Sequence, residues 1–119
     1  MRERVLSIPT RDGQMTTEMF ASDLTRRLPG VIIYMDVFGI REELRDMCLR
    51  YATTGYAVFL PNLFYRQGGP SFPPANRPTD TVDPEAKRLN HATTAELTVE
   101  DTKALLDFTA SMDIEMPGF

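Results

Sequence analysis

An α/β fold, opening on an antiparallel hairpin and continuing as a parallel β-α-β unit, follows from three features of the sequence. Val31-Ile32-Ile33-Tyr34-Met35 is a run of apolar, mostly β-branched or aromatic residues, as in a strand buried on both faces. Leu44, Met47, Cys48, Tyr51 and Ala52 recur at i, i+3, i+4, i+7 and i+8, one stripe of a helix. Ala57-Val58-Phe59-Leu60 is a second buried strand, stopped by Pro61. Strand, helix and strand within about thirty residues make a crossover unit, which is right-handed.

The elements follow in order. Residues 4–20 read as a hairpin: Val5, Leu6 and Ile8 supply one strand, and Thr16, Thr17 and Phe20 suit the other. Arg11-Asp12-Gly13 is its turn, with Gly13 free to take positive φ. Ser22 to Arg27 is a polar connection, and Pro29-Gly30 introduces the β-α-β unit over 31–61. Gly55 sits where a left-handed cap ends the helix. Residues 62–80 hold Pro70, Pro73, Pro74 and Pro78 and the Gly68-Gly69 pair, which predicts a long irregular loop, mobile or ordered only by a partner, and open to proteolysis near Arg66 or Arg77, with Phe72 as its anchor. A helical segment over 83–113 closes the pattern. Asp83-Pro84 starts a first helix through Leu89 and His91, and Thr98 caps a second, with Asp101, Leu105, Phe108 and Met112 on one face.

The 119 residues make one domain, long enough to bury about two thirds of the unfolded surface. With 13 Lys and Arg against 17 Asp and Glu, the chain lacks the clustered cations that nucleic acid requires. One cysteine excludes an intrachain disulfide and a cysteine-based zinc site. No apolar run approaches the ~20 residues of a membrane-spanning helix. Met1-Arg2-Glu3-Arg4 is not followed by the apolar block of a signal peptide, so a soluble cytoplasmic protein is expected.

Catalytic groups are sparse. Ser7, Ser22, Ser71 and Ser111 lie in no Gly-x-Ser-x-Gly elbow, and Cys48 lies in no Gly-x-Cys-x-Gly. Cys48, on the helix stripe, reads as a small buried hydrophobe. His91 is the sole histidine and has no nucleophile beside it in sequence. One histidine among scattered carboxylates is no metal site, and no Gly-rich phosphate loop is present, so neither metal nor cofactor is expected. Tyr34-Met35-Asp36-Val37-Phe38-Gly39-Ile40 differs from the rest. It places Asp36 directly after a buried parallel strand, at the sheet edge where open α/β sheets bind ligands. A loop there presents backbone N–H groups to an oxyanion. From spacing alone, Asp36 reads first as a residue that only caps its turn.

The stretch from Val31 through Gly39-Ile40, Leu44-Arg45-Asp46-Met47, Gly55-Tyr56-Ala57-Val58 and Leu60-Pro61-Asn62-Leu63-Phe64-Tyr65-Arg66 resembles the dienelactone hydrolase family of α/β-hydrolases, and Pro9-Thr10-Arg11-Asp12-Gly13 matches as well. The resemblance implies an α/β-hydrolase sheet acting on a small-molecule carboxylic ester or lactone. The family's acidic residue after the third strand, which interacts with a nucleophilic cysteine, falls on Asp36, where Glu is the better-known residue. The next backbone N–H, at Val37, would form half of the oxyanion hole. Arg88 lies near the position of the family's arginine for the substrate carboxylate. Asn62 replaces a common Asp, with loop hydrogen bonding the expected consequence.

The resemblance also implies that the elbow, acid and histidine of the triad lie beyond Phe119. The expectation is therefore the N-terminal half of a hydrolase, inactive alone. A binding or assembly module that pairs with itself or a complementing chain is the alternative. The family's sheet order sets the third strand between the fourth and the fifth, so Val31–Met35 is expected as an unprotected edge and a site of association.

Overall fold

The computed structural model describes residues 2–22, 28–73 and 81–110. The expectations for 23–27, for 74–80 with Pro74, Arg77 and Pro78, and for 111–113 with Met112 fall outside these residues. Strands β1 (Arg2–Thr10), β2 (Gly13–Ala21), β3 (Gly30–Ile32) and β4 (Ala57–Pro61) form one sheet in the order β1-β2-β4-β3. β1 and β2 are antiparallel, from Arg2 opposite Ala21 to Thr10 opposite Gly13, and Gly13 takes φ 143° at the turn. β2 pairs antiparallel with β4, and β4 pairs parallel with β3. Helix α1 (Glu42–Thr53) makes the β3-to-β4 crossover, and α2 (Pro84–Ala92) and α3 (Ala95–Ala110) follow.

Alternation along the strands divides the core between the two faces of the sheet. Met15, Met19, Ala57 and Phe59 point to one face, where they cluster with Ile8, Leu63 and Leu105 of α3. Phe20, Val58 and Leu60 point to the other, against Leu44, Cys48 and Ala52 of α1. β4 is therefore buried on both faces, with antiparallel β2 on one side and parallel β3 on the other. Arg45 fastens α1 to β2, its Nε and Nη2 donating to the two Glu18 oxygens at 2.7 and 3.2 Å.

Four expectations are corrected. The strand predicted over Val31–Met35 is only three residues long in its ladder and half-buried. Among the described residues it has β4 alone as a strand neighbour, Ile33 N–H adds one bond to Phe59 O, and the chain then leaves the ladder for the Asp36 turn. Met47 and Tyr51 are exposed, because α1 buries only the i, i+4, i+8 row of Leu44, Cys48 and Ala52. The cap of α3 is Thr94 rather than Thr98. The Thr94 hydroxyl accepts from Leu97 N–H at 3.3 Å, whereas Thr98 lies inside the helix and bonds back to Thr94 O.

The fourth correction concerns the loop. Its part from 62 to 73 is folded. Leu63 and Phe64 are buried, and Tyr65–Gln67 form a 3₁₀ turn. Asn62 uses both ends of its amide, accepting from Phe64 N–H and donating to Gly69 O at 3.1 Å each. Arg66 is held by Asp101 of α3 and Asp12 of the hairpin turn. Composition reads this segment as loose because of its prolines and glycines, while the polar anchors that fold it beyond Leu63 and Phe64 are distant in sequence. Asp101, expected on one face with Leu105 and Phe108, is 1% exposed, and Leu105 one turn on is fully buried. α2 starts as expected, with Asp83 Oδ1 accepting from Glu85 N–H at 2.8 Å.

Two outcomes follow. Trypsin should spare the Arg66 bond in the folded chain, since cleavage needs the guanidinium free and the backbone extended; early cutting there would mean that the segment opens readily. Asn62→Asp should lower stability by about 1 kcal/mol in urea titration, because a carboxylate cannot donate to Gly69 O.

Candidate functional site

Both parallel strands end at the same side of the sheet, and their following segments meet there. After Ile32 the chain makes a tight turn over Asp36–Gly39, closed by Gly39 N–H to Asp36 O at 3.1 Å. The Asp36 side chain caps the turn: Oδ1 accepts from Phe38 N–H at 3.0 Å and Oδ2 accepts from Arg41 Nη2 at 2.7 Å. From the β4 side, the 62–73 segment crosses over this turn, and Phe72 N–H donates to Phe38 O at 2.7 Å. The approach explains Gly39. It sits at φ 80°, and a Cβ there would stand 2.5 Å from Pro70 O and 3.1 Å from Ser71 Cα.

The electrostatics of the turn centre on Arg41. Its hydrogen bonds to Asp36 first, and to Glu43 second, hold the guanidinium above its ordinary range. The Asp36 side chain is 41% exposed, so lone pairs on its outer side remain open to a further donor. Asp36 and Phe38 have their turn-forming groups engaged, whereas no described residue accepts from the Val37 N–H. Chemically, the edge offers one backbone donor beside one carboxylate, the pair that would stabilise an oxyanion and orient a nucleophile.

The other candidates are not brought to this edge. Arg88 lies exposed on α2 and pairs with Glu85 one turn earlier; no described bond links it to the Asp36 turn. His91 is exposed in the last turn of α2. Cys48 is buried in the α1-side cluster. Sequence reasoning missed Arg41 and the Pro70–Phe72 strap. Arg41 carried one signal, its place five residues after Asp36 at the head of a helix; the strap carried none, because its contacts are made by backbone.

The sheet order, the parallel β3–β4 pair and a helix on each face are those of the first part of an α/β-hydrolase sheet. Residues 15–118 match the model of the dienelactone hydrolase family, and the chain belongs to that family. A Salmonella typhi protein provisionally named a carboxymethylenebutenolidase is 43% identical over 70 residues, 56% of this chain and 25% of its own length. An Escherichia coli protein with the same provisional name is 43% identical over 44 residues, 37% of this chain and 16% of its own. The crystal structure of a provisionally named dienelactone hydrolase from Klebsiella pneumoniae superposes with TM-score 0.73 at 26% identity, over 92% of this chain and 43% of that one. The chain thus spans under half the length of the proteins it resembles. Among the described residues, no helix is long and apolar enough to cross a membrane.

Burial first, and the Glu18 charge second, push the Cys48 thiol up to about 11. The thiol therefore stays protonated in the folded chain at pH values where the unfolded chain, at about 8.5, ionises. Its contribution to stability should be complete below about pH 8.5 and be lost as pH rises towards 11. At pH 8 the thiol should react with Ellman's reagent only on unfolding; prompt reaction in the native chain would show an accessible thiolate.

Proposed function

We propose that these residues are the N-terminal portion of a carboxylic ester or lactone hydrolase and carry one half of its active site. The observation that carries the reading is the Asp36–Gly39 turn, which follows β3 beyond Ile33–Met35, with the Val37 N–H engaged by no described residue beside a partly exposed carboxylate. In the hydrolysis, Val37 N–H donates to the oxyanion that forms on the carbonyl, and Asp36 accepts from the attacking thiol. The name of the Salmonella relative favours a small unsaturated lactone bearing a carboxylate, whose ring C–O bond breaks as water is added. Arg88 is a weaker candidate for that carboxylate, since Glu85 already engages it. A cytoplasmic location belongs to the same proposal, consistent with a single, free cysteine.

The chain alone is inactive in this reading, because no described residue pairs a nucleophile with an orienting base. The test joins residues 1–119 to the part of the Klebsiella protein that follows the matched segment. The chimera should hydrolyse p-nitrophenyl acetate or a dienelactone, and the chain alone should not. Asp36→Asn in the chimera should lower the rate at least tenfold with little change in melting temperature. Saturable turnover by the chain alone, abolished by Cys48→Ala, would overturn the reading and make Cys48 the nucleophile.

A second reading has its own observation. Among the described residues β3 has one strand neighbour, so the outer edge of Val31–Met35 offers backbone groups to another chain. In this reading the protein is an assembly module that pairs with itself or a complementing chain. Light scattering should then report a dimer that Ile33→Lys dissociates; a folded monomer unaffected by that lysine excludes self-pairing there.

A further inference from the structure

Arg41 immediately precedes α1, and its side chain reaches back over the Asp36 turn. Nη2 donates to Asp36 Oδ2 at 2.7 Å, Nη1 pairs with Glu43, and the guanidinium lies 5.6 Å from the centre of the Phe38 ring. The side chain is only 20% exposed. Phe38 is thereby held on three sides: its N–H by Asp36 Oδ1, its ring by Arg41 and its C=O by Phe72 N–H. The peptide plane that carries the Val37 N–H is bounded by these same contacts, since Asp36 precedes it and Phe38 follows the residue.

We propose that Arg41 is the positioning residue of this edge. By clamping the Asp36 carboxylate onto its own turn, it sets the direction of the Val37 N–H. The clamp stands on geometry alone; its meaning for catalysis rests on the hydrolase reading. Lysine is a poor substitute, because an ammonium lacks the planar fork that joins Asp36 and Glu43 while facing the Phe38 ring. Glu43 shares the guanidinium but touches neither Val37 nor Phe38 through any described bond, so it trims the charge of the site without shaping the turn.

Amide exchange in the 119-residue chain tests the clamp directly. Arg41→Met should speed exchange at Phe38 and Gly39 about tenfold, the loss of one local hydrogen-bonded closure. Arg41→Lys should fall between Met and the unaltered chain, and it carries the test if the Met variant does not fold. Arg41→Met combined with Asp36→Asn should be no faster than Asp36→Asn alone, because the two act through one contact. The Ile33 and Ala57 amides, bonded within the sheet, should not change and report that the fold persists. In the active chimera, Arg41→Met should lower kcat with KM unchanged. Unchanged exchange at Phe38 in both variants, additive effects in the double variant, or an unaltered kcat would each overturn the proposal. A chimera inactive before any substitution would count against the hydrolase reading instead, and the exchange measurements would still decide the clamp.

Discussion

The buried pairing of Arg66 with Asp101 is the constraint on which the arrangement of this chain depends. Asp101 is 1% exposed and accepts three bonds, from Tyr65 Oη and from Arg66 Nη1 and Nη2, all between 2.9 and 3.0 Å. A carboxylate so deeply buried is tolerated only when its charge and its lone pairs are answered. Arg66 answers the charge in a two-pronged contact, then reaches Asp12 with Nε at 2.9 Å. That bond holds the Asp12 carboxyl below the usual carboxylate range. Tyr65 Oη also shares a 2.7 Å bond with Thr10. One cluster thus joins the hairpin turn, the segment after β4 and α3, three pieces far apart in sequence. Arg11 adds a pair to Glu100 at 2.9 Å across the same junction.

The same segment that carries Arg66 also reaches the sheet edge. β4 ends at Pro61, Asn62 folds the chain back through its amide, and Leu63 and Phe64 enter the core. The 3₁₀ turn then presents Tyr65 and Arg66 to α3. Beyond Gly68 and Gly69, both at positive φ, Pro70 to Phe72 lie across the Asp36 turn. The sheet edge is therefore shaped from two directions: by Arg41 at the head of α1, and by a backbone strap whose other end is fixed by the buried ion pair. Burial energetics on one side of the molecule and hydrogen-bond geometry at the candidate site are linked through the short stretch from Arg66 to Phe72.

Much of the fold was legible because it rests on local chemistry. Arg11-Asp12-Gly13 announces the hairpin, Asp83-Pro84 announces α2, and the apolar run at 57–60 announces a central strand that the sheet does bury on both faces. The errors fall where distant residues decide. Val31–Met35 has the composition of an interior strand, yet its ladder stops at Ile32, with β4 its one neighbour among the described residues. Met47 and Tyr51 fit the helix stripe, but only one row of α1 faces the sheet. Thr94 and Thr98 are equivalent as cap candidates in sequence, and the choice falls to the one followed by Ala-Glu-Leu. Asp36 was legible as a residue at the strand end, and both roles read from it, turn cap and site carboxylate, are compatible with its contacts. Asp101 was legible on its helix face but not its partner, and Arg66 and Arg41 escaped because a charged residue in a polar stretch looks solvated until its partner is known.

A double-mutant cycle between Arg66 and Asp101, read by urea denaturation, tests this dependence most directly. Arg66→Met should remove about 3 kcal/mol of stability, because it strands a buried carboxylate. Asp101→Asn should be similarly severe, and the double variant should recover at least about 2 kcal/mol relative to the sum of the two. Single losses below about 0.5 kcal/mol that simply add, as for exposed ion pairs, would contradict the dependence of this fold on the buried pair.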